Sequence, residues 1–197
     1  MAAEKQQQRY IAERMLVERA RNGEGVAFDA LFRAHKDGVY ACLWHLLDGE
    51  ADAVEDAVGA VFLSAFRGLA GFRMESSFAT WLYRIAVNEA HARARRRCHE
   101  RLLGWFSLDG RSTECRALTS GPDPKENLLR DEETRMLRRA VRALPEPYRT
   151  PMVLRYMAGM DSPDIASVLR RPRGTVRYQL SRAIEILKER LGGEWME

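Results

Sequence analysis

The chain has 197 residues, a formal net charge of +4 and 46% hydrophobic residues, which fits one medium or two small domains and excludes a disordered tail. Its cysteines, Cys42, Cys98 and Cys115, are odd in number and scattered, so we expect a reducing compartment and neither a disulfide framework nor a metal site. The N-terminus lacks a signal-peptide pattern and no apolar run approaches the ~18 residues of a membrane span, so we expect a cytoplasmic protein without membrane insertion.

Helical periodicity dominates the chain and strand patterns are almost absent, which predicts an all-α fold. A first helix is expected from Arg9 to Arg21, where Asn22-Gly23 is typical of a helix end. A second is expected from about Val26 to Leu47 and a third from about Ala51 to Leu69. The outer face of the third helix carries acidic and small residues, which by themselves indicate only a solvated surface: Asp52, Glu55, Asp56 and Gly59.

A polar loop from Phe72 leads into an aromatic-rich amphipathic helix whose period is clear from Thr80 on. The polar face of this helix has residues three or four positions apart: Thr80, Arg84, Asn88, His91 and Arg95. It continues into a basic run that ends at Arg97. Such a face suits a nucleic-acid backbone with a few base contacts beside it. A solvated helix end that complements the macrodipole would show the same charges.

The helical period disappears from His99 to about Arg130, where glycines and prolines predict a linker. Trp105 and Phe106 are expected there to form a small packing site, or else an anchor for a partner. Helical periodicity returns from Asn127 to Leu144 and again through Met152, Val153 and Tyr156. Pro151 lies where a helix interior is expected, which predicts a kink or a late helix start.

A short helix, a tight turn and a longer basic helix follow, which is the helix-turn-helix pattern. Ser162-Pro163-Asp164 predicts the start of the short helix, with Ser162 as its N-cap. The turn is Arg171-Pro172-Arg173, and the second helix is expected from about Gly174 to Leu191. The residues expected to face DNA are Ser162, Arg173, Thr175, Arg177, Tyr178, Ser181 and Arg182. A two-helix hairpin without a DNA function would give the same periodicity.

Three segments resemble the extracytoplasmic-function (ECF) class of the sigma-70 family of bacterial sigma factors. The run from Phe72 to Asn88 is similar to the promoter-melting segment, in which a Phe-Arg, acidic-serine loop leads into a Thr-Trp-Leu-Tyr-Arg-Ile-Ala-x-Asn helix. Leu144-Pro145-Glu146 resembles the start of the family's fourth region. The run from Pro172 to Arg177 resembles its Pro-x-Gly-Thr-Val-Lys/Arg motif. Response-regulator domains share the Thr-Val pattern, but both halves in this order are specific.

The resemblance implies two small helical domains joined by a flexible linker: region 2 over residues 1–98, the linker over 99–130 and region 4 over 131–197. Region 2 would recognise and melt the minus-ten promoter element, and the helix-turn-helix of region 4 would read the minus-thirty-five element. The residues implied in minus-ten binding are Phe72, Arg73, Ser76, Ser77, Phe78, Arg84, Asn88, His91 and Arg95. The acidic face of the third helix would contact core RNA polymerase, although Gly59 and Ala60 replace the family's glutamine and glutamate.

We therefore expect a transcription initiation factor that binds core RNA polymerase, promoter DNA and an anti-sigma factor. No catalytic set or phosphate-binding loop accompanies the motifs, so we expect no enzymatic activity, no cofactor and no small-molecule substrate. The alternative is a stand-alone helix-turn-helix transcriptional regulator whose N-terminal half is a sensor or dimerisation domain. A helical scaffold that binds only protein is a third interpretation. Promoter-specific initiation with core polymerase separates the first from the other two.

Overall fold

The computed structural model describes residues 2–106 and 132–191, and within these ranges the regular structure is helical, with no strand. The all-α prediction is therefore confirmed. In chain order the α-helices are α1 (Ala2–Arg21), α2 (Gly25–Leu46), α3 (Ala51–Gly68), α4 (Phe78–Phe106), α5 (Glu132–Arg142), α6 (Glu146–Tyr156), α7 (Ser162–Leu169) and α8 (Arg173–Leu191). A short 3-10 turn, Leu69–Gly71, precedes the loop that leads into α4.

The first four helices form an N-terminal bundle because each carries an apolar stripe that the others cover. Helix α2 lies at its centre and contacts α1, α3 and α4. Leu31 and Leu43 of α2, Val61 of α3 and Leu82 of α4 are almost fully buried. Each buried side chain of this size stabilises the fold by about 1.5–3 kcal/mol relative to exposure. Because Leu82 lies on the buried stripe of α4, the opposite, polar face of that helix lies at the surface of the bundle.

Helices α5–α8 form a second, C-terminal group with α8 packed against α5, α6 and α7. Val153 and Leu154 of α6, Ile165 of α7 and Val176 of α8 make its centre and are fully buried. Helix α7 is terminated by its C-cap, Arg170, which has a left-handed φ of 52°. This conformation commonly ends a helix. The following turn brings α8 across α7, as a helix-turn-helix requires.

The N-terminal bundle and the C-terminal group pack directly against each other. Helix α7 lies along α4, and α5 and α6 contact α2. The buried apolar residues form one continuous core that includes members of both groups. The predicted linker lies mostly outside the described residues, as does Cys115. Among the described helices, none is long and apolar enough to cross a membrane.

Three expectations about helix ends were wrong. Helix α4 continues past His99 to Phe106, because strong helix formers such as Glu, Arg and Leu sustain a helix without an apolar period. Trp105 and Phe106 therefore end a helix rather than sit in a linker, and their side chains lie outside the description. Helix α1 begins at Ala2 rather than Arg9.

The third group of errors lies in the C-terminal helices and concerns the N-cap of α7, Pro151 and Tyr156. Asp161 is the N-cap of α7 and accepts a 2.8 Å hydrogen bond from the Asp164 amide, so Ser162 is the first helical residue instead of the cap. Aspartate and serine cap equally well, so position alone decided between them. Helix α6 starts at Glu146 and runs through Pro151, which excludes a late start. Pro151 is buried, and that packing compensates for the hydrogen bond it cannot donate. Tyr156 is exposed rather than part of the apolar stripe.

Candidate nucleic-acid interface

An aromatic cluster holds the loop that leads into α4. Phe72 stacks on Trp81 with ring centroids 4.8 Å apart, and Phe78 meets both rings at 6.3 and 5.8 Å. Phe72 and Phe78 are only 6% and 3% exposed. These two predicted DNA contacts are therefore packing residues in this state, and their rings fix the path of the loop. The exposed side chains at the loop tip are Arg73 and Glu75, with Ser76 half-buried beside them.

Ser77 starts α4 and orients its first polar residue. Its hydroxyl accepts a 3.0 Å hydrogen bond from the Thr80 amide, the interaction that defines an N-cap. The Ser77 and Thr80 hydroxyls are also 2.7 Å apart, and Thr80 donates onward to Asp164. Ser77 thus has a structural role that its assignment to DNA did not include. The three-residue spacing from Ser77 to Thr80 was the sequence signal for it.

A cavity of about 20 Å³ lies under this loop, between α1 and the aromatic cluster. Its lining includes Tyr10, Glu13 and Arg14 of α1 together with Met74 and Ser76 of the loop. A volume of this size holds about one water molecule. A nucleobase therefore fits only if the loop moves away from α1. Met74 has a left-handed φ of 55°, a strained conformation for a side chain of this size.

The polar face of α4 is partly covered by the C-terminal group. Arg84 donates two hydrogen bonds from Nη2 to Ser167 of α7, to its carbonyl oxygen at 3.1 Å and its hydroxyl at 3.0 Å. The Nε of Arg84 is buried without a partner among the described residues. Thr80 donates to Asp164 Oδ1 at 3.2 Å. Asn88 and Arg95, on the same face, are exposed.

His91 extends this contact toward α6. Its Nε2 lies 3.0 Å from Glu146 Oε1 and 3.4 Å from the Thr150 hydroxyl. The hydrogen bond with His91 is the main reason that the pKa of the Glu146 carboxyl lies below its ordinary value. Burial acts in the opposite direction on Asp164 and raises its pKa, with a further contribution from the charge of Asp161. The contact between α4 and the C-terminal group is therefore polar as well as apolar.

A second polar contact joins the end of α2 to α5 and α6. Arg149 donates to Asp48 Oδ1 at 2.8 Å, and Arg142 donates to the Asp48 carbonyl at 3.4 Å. His45 is 3% exposed beside them, and its Nδ1 has no hydrogen-bond partner among the described residues. Burial, reinforced by the charges of Arg142, Arg138 and Arg149, lowers the pKa of His45 to about 4. His45 is therefore neutral at pH 7.

The helix-turn-helix presents most of its predicted DNA residues on one surface. Those exposed on the outer face of α8 are Arg173, Thr175, Arg177, Tyr178 and Ser181. Ser162 at the start of α7 is half-buried, as is Arg182, which donates to Glu185 at 2.7 Å. Gln179 turns inward and accepts a hydrogen bond from Arg171 at 3.3 Å. This hydrogen bond ties the turn to α8.

The predicted polymerase face and the basic run also have defined surroundings. Asp52, Glu55, Asp56 and Gly59 are all exposed along one side of α3. In the basic run, Arg93 pairs with Glu89 at 2.7 Å and Arg97 with Glu50 at 2.9 Å. Part of the basic run is therefore neutralised within the bundle, whereas the neighbouring Arg95 and Arg96 remain exposed.

Two family models match this chain: sigma-70 region 2 over residues 31–99 and sigma-70 region 4 over residues 134–187. The chain belongs to the sigma-70 family. It is 33% identical over 187 residues to the RNA polymerase sigma-H factor of Pseudomonas aeruginosa, covering 91% of this chain and 93% of that protein. It is 32% identical over 186 residues to the ECF RNA polymerase sigma-E factor of Haemophilus influenzae, covering 92% of this chain and 96% of that protein.

Solved structures of similar fold include CnrH, solved in complex with the cytosolic domain of CnrY. Its TM-score is 0.68 at 24% identity, covering 93% of this chain and 99% of that one. The Bartonella quintana sigma factor RpoE, solved with the anti-sigma factor NepR, has a TM-score of 0.65 at 22% identity, covering 85% and 98%. At these identities the likeness supports the fold. Together with the family models and relatives, it makes this chain an RNA polymerase sigma factor for promoter-specific initiation. A stand-alone regulator is not favoured.

Sequence reasoning missed two residues of this sigma factor that share the exposed side of α3. Leu63 and Phe66 are 49% and 56% exposed and continue the stripe that contains Asp56 and Gly59. Their spacing of four and seven residues from Gly59 was the available signal, because such positions share a helix face. Exposed apolar side chains in one stripe are typical of a surface that binds another protein.

Proposed function

We propose that the α4 face and its preceding loop bind the non-template strand of the minus-ten element, and that the outer face of α8 reads the minus-thirty-five element. The observation that carries this proposal is the division of α8 into two faces. Val176, Ala183 and Leu187 are buried on one face, whereas arginine, threonine, serine and tyrosine side chains share the opposite surface. That surface matches a recognition helix in a major groove.

In region 2, Arg84, Asn88 and His91 are the side chains that can meet an extruded strand. Extruding a base costs a few kcal/mol, and contacts from a positive groove with stacking surfaces offset that cost. The loop tip, with Arg73, Ser76 and Ser77, borders the small cavity under it. Capture of a base would enlarge this cavity by moving the loop. Phe72 and Phe78 would support the loop from below, and Arg95 would contact the backbone.

In region 4, Arg177 and Tyr178 face outward one turn into α8, where side chains reach base edges. Arg173 and Thr175 lie at the N-terminus of α8, where phosphate contact is favoured. Ser162, Ser181 and Arg182 lie at the borders of this surface and would contact the flanking backbone. Arg182 would first have to leave Glu185, an exposed pair that is worth little.

Replacing Arg177 with alanine is expected to cost about 1–3 kcal/mol of promoter binding and to relax specificity at one base pair of the minus-thirty-five element. Holoenzyme binding to a set of promoters with single substitutions there measures both effects. Lys188→Ala, an exposed basic residue farther along α8, is the matched control. A uniform loss over all promoters would show instead that Arg177 contacts phosphate.

The exposed side of α3 is the proposed contact with core RNA polymerase. Asp52, Glu55 and Asp56 supply charge, and Leu63 and Phe66 supply apolar area. Gly59 and Ala60 stand where the family has glutamine and glutamate, so two polar contacts expected of the family are lost. Gly59 is exposed with open space around it, and α3 remains a continuous helix there. The apolar pair would compensate for that loss.

We also propose that this sigma factor is cytoplasmic, has no catalytic activity of its own and is held by an anti-sigma factor. The structure of RpoE with the anti-sigma factor NepR, a fold similar to this one, supports the last point. Recovery of the chain from cells with its bound proteins would identify that partner.

A further inference from the structure

We propose that α1 is the fixed wall of the pocket that captures a minus-ten base, and that Glu13 on it selects a base with an exocyclic amino group against thymine. This inference rests on the proposed capture of an extruded base beside the loop. Helix α1 precedes residue 31, where the match to sigma-70 region 2 begins. The starting observation is the cavity under the loop, because α1 supplies four of its lining residues: Tyr10, Glu13, Arg14 and Val17.

Helix α1 is held in place by the bundle, whereas the loop opposite it carries strain. Val17 is 2% exposed, and α1 packs along α2. On the other side of the cavity Met74 has a left-handed φ of 55°, a conformation that such a side chain rarely adopts. The strained wall is the one that moves when a base enters, because leaving this conformation releases the strain. The base is therefore held between the displaced loop and an unmoved α1.

A hydrogen bond between α2 and α1 orients the carboxylate of Glu13 at the cavity. His35 Nε2 donates to Glu13 Oε1 at 2.7 Å, and the two side chains are 15% and 24% exposed. The ring of His35 packs in turn on Phe78, at a centroid distance of 5.4 Å, and Phe78 lines the same cavity. The two oxygens of a carboxylate together accept several hydrogen bonds, so Glu13 can keep His35 and still accept from a ligand. His35 is the positioning residue of this pair.

An acceptor at this place distinguishes bases by their Watson–Crick edges, which extrusion exposes. Adenine, cytosine and guanine each carry an amino group that donates hydrogen bonds, whereas thymine has a carbonyl oxygen on both sides of its ring N–H. A carboxylate attracts the amino groups and repels the carbonyl oxygens of thymine. Its charge also opposes a phosphate backbone. A carboxylate in this cavity therefore serves the selection of a base and not general affinity for DNA.

The neighbours of Glu13 on α1 provide the other contacts that a single base needs. Tyr10 lies three residues before Glu13, hence on the same helix face, and is 44% exposed. Its ring offers a stacking surface, which binds any base. Arg14 pairs with Glu18 at 3.6 Å, an exposed pair that is worth little and leaves the guanidinium available to a phosphate. Stacking and charge thus hold the base, and Glu13 selects it.

The test uses the holoenzyme, with the wild-type chain or Glu13→Gln, on forked promoter templates whose non-template minus-ten strand is single-stranded. An abasic residue at each position of that strand identifies the captured base by the loss of affinity, and the four bases are then compared there by dissociation constant. The wild type is expected to bind thymine about tenfold more weakly than the preferred amino-bearing base. Glu13→Gln keeps an oxygen for His35 and presents an amide donor to the base, so this ratio is expected to fall to about one or to reverse.

Glu18→Gln, the same change at an exposed position of α1, is the matched control and is expected to keep the wild-type ratio. His35→Phe keeps a ring against Phe78 but releases the carboxylate, and it is expected to shrink the ratio without reversing it. Thermal melting followed by circular dichroism checks that each variant stays folded.

Two results would overturn selection by Glu13 and leave base capture standing. One is an unchanged ratio in Glu13→Gln, and the other is a wild type that binds thymine as tightly as the other bases. If no abasic residue weakens binding, base capture itself fails and this inference fails with it.

Discussion

Replacing Phe78 with alanine is expected to lower the free energy of unfolding by about 3–5 kcal/mol, the range for a buried phenylalanine. Phe78 is 3% exposed and its ring lies within 6.3 Å of the ring centroids of His35, Phe72 and Trp81. Its removal therefore opens a void under the loop and under the first turn of α4. Urea unfolding followed by circular dichroism measures the change.

Phe66→Ala is the matched control for Phe78→Ala, because Phe66 is 56% exposed. It is expected to cost less, about 0.5–1.5 kcal/mol of unfolding free energy, because its ring makes a T-shaped contact with Phe28 at a centroid distance of 5.1 Å, while it weakens binding to core polymerase. A loss below about 1 kcal/mol for Phe78→Ala would mean that the ring does not support the loop. In that case the prediction that Phe78 contacts DNA directly would be favoured again.

Lowering the pH from 7 to 5 is expected to remove about 2 kcal/mol of stability through His45 alone. The pKa of His45 is lowered from its ordinary 6.5 to about 4, by burial first and by three arginines second. Between these two values the unfolded chain binds a proton that the folded chain does not. Stability therefore rises with pH in this window, and the loss accumulates as the pH falls from about 6.5 toward 4.

The variant His45→Gln is expected to lose this part of the pH dependence, whereas His99→Gln, at an exposed position, keeps it. Unfolding free energies of the three proteins at pH 7 and pH 5 measure the difference. The lowered pKa of Glu146 acts in a separate window, because its contribution is lost only as the pH falls through that lowered value. Equal losses in the wild type and His45→Gln would refute the role of His45.

His45 also lies at the contact between α2 and the C-terminal helices α5 and α6. The arginines around it belong to α5 and α6, and Asp48 is the acidic residue described beside them. A proton on His45 would add a fourth positive charge across the contact between α2 and region 4. Protonation of His45 is therefore expected to weaken this contact.

Much of the fold followed from local patterns in the sequence. Helical periodicity predicted α2, α3 and α4, and the pattern of a short helix, a tight turn and a longer basic helix predicted the helix-turn-helix. The resemblance added the family, which the two family models and the relatives confirm. Which side chains bind promoter DNA stays a prediction.

The remaining features depend on residues far apart in the chain, which periodicity does not report. Thr80 and Asp164 are 84 positions apart, and Arg149 and Asp48 are 101 apart. Local sequence also could not show that Phe72 and Phe78 turn inward, because a loop phenylalanine can either pack or meet a base. Their burial depends on Trp81 of α4, His35 of α2 and the residues of α1 that line the cavity, and this packing has no local signal.

Asn88→Ala tests most directly whether the α4 face captures the minus-ten strand, because Asn88 is exposed and, unlike Arg84, makes no hydrogen bond to the described part of region 4. Its loss would remove the proposed DNA contact and leave the hydrogen bonds between α4 and the C-terminal helices in place. Asn22→Ala, at another exposed asparagine, is the control. Open-complex formation by the holoenzyme is expected to fall about threefold to tenfold on a duplex promoter, the value of one hydrogen bond, and less on a pre-melted one. An equal loss on both templates would contradict the capture of an extruded base.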